Sequence, residues 1–172
     1  EKGDPKNPTV QSKRAKLVWD KSKEYMQKLN VKEISDRDEW ITAYLSLRGL
    51  YGWRADFYED LICLLEEEKR YNLAIFVALD LAELDPSNAE VLRRAARSLH
   101  RLGELGLAQV LYYRLLVLSP SSDVSHYDLA RLYESQKQYA DAAEYFWQAC
   151  LLIPDKNAEG RSIVYLEDLN AC

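Results

Sequence analysis

Apolar residues recur every three to four positions along most of this chain, the signature of amphipathic helices. They mark six stretches of helical length, at about 54–68, 71–84, 88–101, 105–118, 123–136 and 139–152. Breaks fall at Lys69–Arg70, Pro86, Gly103, Pro120, Lys137 and Pro154. Upstream, Ala15, Val18, Ser22, Met26 and Leu29, widened by Trp19 and Tyr25, predict a helix over about 10–30. A second is expected after Ser35 or Asp36, where Asp36 and Glu39 have a capping spacing, running through Trp40, Ile41, Tyr44, Leu45 and Leu47 to Gly49. Ser87, three residues before Glu90, predicts another capping box. Ile163, Val164, Leu166 and Leu169 predict a last helix within 162–172. No segment alternates with period two, so the predicted class is all-α.

Three breaks, Pro86, Pro120 and Pro154, lie 34 residues apart, and other positions keep their register. Ala74, Ala108 and Ala142 stand twelve residues before the prolines, and Ala78, Tyr112 and Phe146 stand eight before them. In the preceding helices Leu61, Ala95 and Leu129 match, as do Leu65, Leu99 and Tyr133, with Ile62, Ala96 and Ala130 between. Small residues let the two helices of a hairpin approach closely, and aromatics fill the space towards the next hairpin. Proline ends the second helix.

A 34-residue helix–turn–helix period of this kind resembles the tetratricopeptide repeat. The third copy carries the motif best, as His126, Leu129, Ala130, Tyr133, Ala142, Phe146 and Pro154. In the first, Ile62 is larger and Ala78 smaller than the family prefers. The resemblance implies a right-handed α-α superhelix, a tetratricopeptide-like solenoid with flanking capping helices. The chain then divides into a linker (1–9), a divergent helix pair (10–54), three repeats (55–154, as about 55–88, 89–122 and 123–156) and a capping helix (157–172). Residues 10–52 fall outside the register because Trp40 and Tyr44 stand where Ala74 and Ala78 would, and Trp does not fit a close helix contact. The stretch Ile163–Ala171 is similar to the helix closing the repeat segment of bacterial multidomain proteins related to inter-alpha-trypsin-inhibitor heavy chains. That likeness implies an interior piece of an exported protein, in the periplasm or at the cell surface.

Composition narrows the function. The 172 residues are 48% hydrophobic and 30% charged, with a net charge of −5, which argues against disorder and against nucleic-acid binding. The longest apolar run, Leu73 to Leu79, is far short of the roughly 20 residues that span a bilayer. The polar start from Glu1 to Pro8 has no signal-peptide h-region. Charge is uneven: residues 1–32 carry nine Lys/Arg against four Asp/Glu, and the remainder fourteen against twenty-four. Cys63, Cys150 and Cys172 have no paired spacing and read as free thiols.

No catalytic motif is present. His100 and His126 lie in separate repeats without a nucleophile at motif spacing, and His126 fits an aromatic packing position. The run Glu66–Glu68 beside Lys69 and Arg70 reads as a solvated helix end. No enzyme activity, cofactor or metal is expected.

In tetratricopeptide arrays the first helix of each repeat lines the concave groove. Arg93, Arg97 and Arg101, spaced by four, then form a row, with Tyr127 and Arg131 beside it in the next repeat. Such a row of guanidinium forks suits an acidic protein segment, a peptide or a partner helix. The opposing expectation is that these arginines serve inter-repeat ion pairs, Glu59 with Arg93 and Glu67 with Arg101. The resemblance also excludes the chaperone-carboxylate clamp, because Glu59, Cys63, Arg94, Val124 and Asp128 stand where that clamp keeps Lys, Asn and Arg. The sequence thus points to a non-catalytic interaction scaffold, with a purely structural spacer as the alternative.

Overall fold

The computed structural model describes residues 22–29, 36–153 and 158–171. These form α1 (Glu24–Lys28), α2 (Arg37–Tyr51), α3 (Ala55–Glu67), α4 (Tyr71–Leu84), α5 (Ala89–Arg101), α6 (Leu105–Leu118), α7 (Asp123–Ser135), α8 (Tyr139–Leu152) and α9 (Ala158–Ala171). There is no strand among the described residues. Helices α3 to α8 match the predicted stretches to within a residue at each end. The linker at 1–9, most of the first predicted helix and Pro154 lie outside the described residues.

Three hairpins, α3–α4, α5–α6 and α7–α8, make the repeats, and each packs its second helix on the next first helix. Ala74, Ala108 and Ala142 are fully buried, as are Ala96 and Ala130 and the larger Ile62. A continuous core runs through the stack, carried by residues such as Leu61, Leu65, Leu99, Leu129 and Phe146. Burial of each large side chain contributes about 1.5–3 kcal/mol.

The turn inside each repeat is a Schellman motif, and its left-handed residue recurs at the same period. Lys69, Gly103 and Lys137 have φ of 58°, 87° and 61°. The following amides reach back to the helix: Arg70 N to Leu65 O (2.8 Å), Glu104 N to Leu99 O (2.9 Å) and Gln138 N to Tyr133 O (2.9 Å). This turn satisfies carbonyls at the helix end that would otherwise be orphaned. Only the middle repeat places a glycine there; the other two hold a lysine in a conformation that crowds its Cβ.

The capping expectations fare unevenly. Asp36 caps α2, its carboxylate accepting from Asp38 N and Glu39 N at 3.1 Å each. Before α5 the cap is Asn88 and not Ser87. The Asn88 side chain accepts from Glu90 N and Val91 N, while Ser87 donates its hydroxyl to Asp85. Asn88 has the extended backbone a cap needs, and Ser87 lies one residue too early.

Flanking helices cover both ends. Tyr25, Trp40 and Tyr44 are buried with Phe57; Trp40 and Tyr44 stack at 5.1 Å, and Tyr25 meets Phe57 edge-on at 5.2 Å. The backbone of α2 stays farther from its neighbours than the paired helices stay from each other, as two large rings in place of alanines require. At the other end Tyr165 of α9 stacks on Tyr127 at 4.4 Å.

Lys69→Gly and Lys137→Gly are each expected to raise stability in urea denaturation, by up to about 1 kcal/mol. Gly103→Ala should lower it by a similar amount, about 1 kcal/mol, because its Cβ meets no neighbour and the φ alone is at fault.

Candidate functional site

The site is built on the first helices of the second and third repeats. Between α5 and α7 lies a cleft of about 840 Å³, bordered by Arg97, His100, Arg101, Asp128, Arg131 and Lys137 among others. Three of the five residues expected in a groove therefore come together: Arg97, Arg101 and Arg131.

Arg93 is not among the cleft's lining residues, and its side chain is only 13% exposed. It turns into the interface between α5 and α7. There its Nε lies 3.2 Å from Asp128 Oδ2, out of line for a hydrogen bond, and its Nη2 donates to Ser125 Oγ at 3.0 Å. Tyr127 is not a lining residue either. Its ring lies under Tyr165 and its hydroxyl donates to Asp168 at 2.9 Å, so α9 occupies this end of the face. Burial together with Asp168 pushes the Tyr127 hydroxyl up to about 12.

Inter-repeat ion pairs are present, but one residue away from where equivalent positions place them. Glu59 meets Arg94 (3.3 Å) rather than Arg93, and Arg101 meets Glu66 (2.9 Å) rather than Glu67. These pairs are 35 residues apart, as are His100 and Ser135. The reason is geometric. Residues 34 apart point the same way on successive helices and so cannot face each other. One further residue turns the side chain by about 100° towards its neighbour. Arg97 reaches Asp128 across 31 residues by the same sense of rotation.

Asp128 organises the cleft floor. Its side chain is 7% exposed, and Arg97 grips it through Nε (3.0 Å) and Nη2 (2.8 Å). Burial raises its carboxyl above the usual range, against the pull of Arg97 and Arg93. Arg131 pairs with Glu134 at 2.6 Å and lies 3.5 Å from Asp168. Around the cleft, four cations (Arg97, Arg101, Arg131, Lys137) stand against two carboxylates (Asp128, Glu134). Burial and the nearby Arg131 hold the His100 imidazole below the usual histidine range, and its Nε2 is 3.0 Å from Ser135 Oγ. Cations thus outnumber carboxylates in the lining itself, while Glu66 and Asp168 pair with Arg101 and Arg131 from just beyond it.

Sequence reasoning missed two contributors. Lys137 was visible only as a helix break, and Asp128 only as a residue unfit for a carboxylate clamp. Among the described residues no cluster of three or more His, Cys, Asp or Glu could hold a metal ion. Cys63 is buried and Cys150 half-buried, both as free thiols, and burial pushes the Cys63 thiol up to about 11. No helix among the described residues is long and apolar enough to cross a membrane.

Solved structures share this architecture. The type III secretion chaperone SycD of Yersinia enterocolitica, in complex with a peptide of the translocator YopD, is similar with a TM-score of 0.55 at 19% identity, over 67% of this chain and 89% of its own. A second structure of SycD gives 0.54 at 19%, over 67% and 81%. MamA AMB-1 gives 0.50 at 21%, over 80% and 82%. The fold is thus a tetratricopeptide-like helical solenoid. No protein-family model and no curated protein matches the chain, so the likeness of Ile163–Ala171 to inter-alpha-trypsin-inhibitor-like proteins has no support from them.

Two outcomes are expected. Asp128→Ala removes the carboxylate shared by Arg93 and Arg97, leaving Arg93 with Glu90 and Ser125 alone, and should cost about 1–3 kcal/mol in chemical denaturation. His100, whose native pKa lies below its unfolded value of about 6.5, contributes stability above that pH that is lost as pH falls through its native pKa. The difference in urea midpoint between the wild type and His100→Gln should therefore shrink or reverse on acidification from pH 7.5 to pH 5.

Proposed function

We propose that this protein is a non-catalytic interaction scaffold that receives an acidic polypeptide segment in the cleft between α5 and α7. The observation carrying this reading is the excess of cations, four against two carboxylates, around an open cleft of about 840 Å³. Guanidinium forks form paired hydrogen bonds with carboxylates, which gives orientation as well as affinity. Arg101 and Arg131 are the primary contacts, their side chains 37% and 44% exposed, while Arg97 is committed to Asp128 and offers its outer edge. Arg93 supports the floor, and Tyr127 anchors the α9 rim. SycD, which has the same fold, is seen with a peptide of a translocator, and this lends the reading further support.

A second reading has its own observation. Arg93, Arg97, Arg101 and Arg131 each already have a carboxylate neighbour within the chain. On that reading the solenoid is a rigid spacer with an empty cleft, within an exported multidomain protein.

Fluorescein-labelled peptides of equal length, acidic, neutral and basic, separate the two in fluorescence anisotropy. The scaffold reading expects the acidic peptide to bind best and to weaken with salt. Arg101→Gln with Arg131→Gln, which spares the Arg97–Asp128 pair, should weaken it roughly tenfold or more. Equal binding of all three peptides, or no loss in the double variant, overturns the site. No binding at all favours the spacer.

A further inference from the structure

The second helices of the repeats pose a separate problem. Helix α6 is apolar on almost every side, with Arg114 its only charge in 14 residues. A helix hydrophobic all round is normally buried. Here Val110 is 64% and Val117 82% exposed, and on α8 Trp147 and Leu151 are 53% and 66% exposed. Tyr113 and Trp147 are equivalent positions in successive repeats, as are Val117 and Leu151. The gap between the two helices is filled by aromatic rings. The Tyr113 and Tyr133 hydroxyls are hydrogen-bonded, and Tyr133 stacks on Tyr145 at 5.5 Å. The result is a face on which Val110, Tyr113, Val117, Trp147 and Leu151 stand exposed, with no cover among the described residues.

The chain itself shows what covers such a face. On α4 the positions equivalent to Val110 and Arg114 are Phe76 and Asp80, and α2 lies on them. Tyr44 meets Phe76 edge-on at 5.8 Å, and Arg48 reaches Asp80 at 3.1 Å. The cover is thus a helix bearing an aromatic ring and a charge opposite to the one it meets. On α6 the charge is positive. Helix α8 presents the complement on its own exposed face: Trp147 as the ring and Glu144 as the charge, one turn apart.

We infer that a second copy of this chain covers the patch, in a two-fold dimer that sets α6 of each copy against α8 of the other. A two-fold axis between α6 and α8 forms both contacts at once, so each Arg114–Glu144 pairing occurs twice. The Val110 and Val117 face then takes the partner copy's Trp147 ring, as Phe76 takes Tyr44 within the chain. Neither the cleft nor the reading proposed for it enters this inference.

Sedimentation-equilibrium analysis of the chain over a wide concentration range provides the test. A monomer–dimer equilibrium is expected, abolished by Val117→Asp or Leu151→Asp with helicity retained in circular dichroism. Arg114→Glu and Glu144→Arg should each weaken the dimer roughly tenfold or more, since each breaks both symmetric pairs. The double variant Arg114→Glu/Glu144→Arg should restore it, which a change of folding or general charge would not do. A monomer at every concentration overturns the proposal, as does a dimer indifferent to Val117→Asp or a double variant as weak as the singles.

Discussion

Buried carboxylates stand at both ends of this solenoid and at the joint between its second and third repeats, and the ends and the cleft depend on them. Asp60, Asp80, Asp123 and Asp128 are each no more than 8% exposed. An isolated buried charge would be prohibitively costly, so each needs donors from a neighbouring element. Asp60 receives Lys23 and the Tyr25 hydroxyl, both at 2.6 Å or less. Asp80 receives the Tyr44 hydroxyl and Arg48, and Asp123 receives Arg161 and the Tyr165 hydroxyl. The same pair of groups, a tyrosine and a cation, thus secures α1, α2 and α9. Apolar contact alone would allow these helices to slide; a paired carboxylate accepts one position only.

Asp128 differs in being an internal joint, and that difference creates the cleft. Its partners are two arginines of the preceding repeat, Arg97 donating to it and Arg93 at ion-pair distance, so α5 contributes a guanidinium fork where the end helices contribute a hydroxyl. Two guanidinium groups converge on one carboxylate, and Arg101 and Arg131 line the same cleft. The presence of Arg97 and Asp128 in the cleft is therefore a by-product of how the second and third repeats are joined. Arg101 and Arg131 take no part in that joint, since each has a half-buried carboxylate partner of its own, Glu66 and Glu134.

The repeat was legible in the sequence because packing in this fold is local and periodic. Alanines and prolines at 34-residue spacing gave the helices almost to the residue, and the expected misfit of Trp40 and Tyr44 appears as a wider helix contact. The joints were not legible. Asp60, Asp80 and Asp123 carry no motif, and their partners lie 32 to 42 residues away on divergent helices. Comparing equivalent positions located the right helices but the wrong residues, since side chains in register point in parallel and not at each other. The direction of the Arg93 side chain was not legible either. It shares a helix face with Arg97 by spacing, yet lies just far enough round to be drawn into the interface with Asp128 and Ser125.

The partition of charge between the two layers says more about use than either layer does alone. Helices α3, α5 and α7 hold most of the ionisable side chains, whereas α4, α6 and α8 hold few, and Asp80 among those few is buried. Stability does not require so uneven a division. The outer positions of α6 could carry lysines or glutamates at no packing cost, since Val110 and Val117 face solvent. Leaving them apolar invites aggregation unless something covers them. One layer therefore presents mainly charge and the other mainly apolar area. The ion pairs that join α3, α5 and α7 account for the charge of the first layer, but nothing they do accounts for the exposed valines of α6 or the exposed Trp147 and Leu151 of α8, so the two layers answer to different constraints.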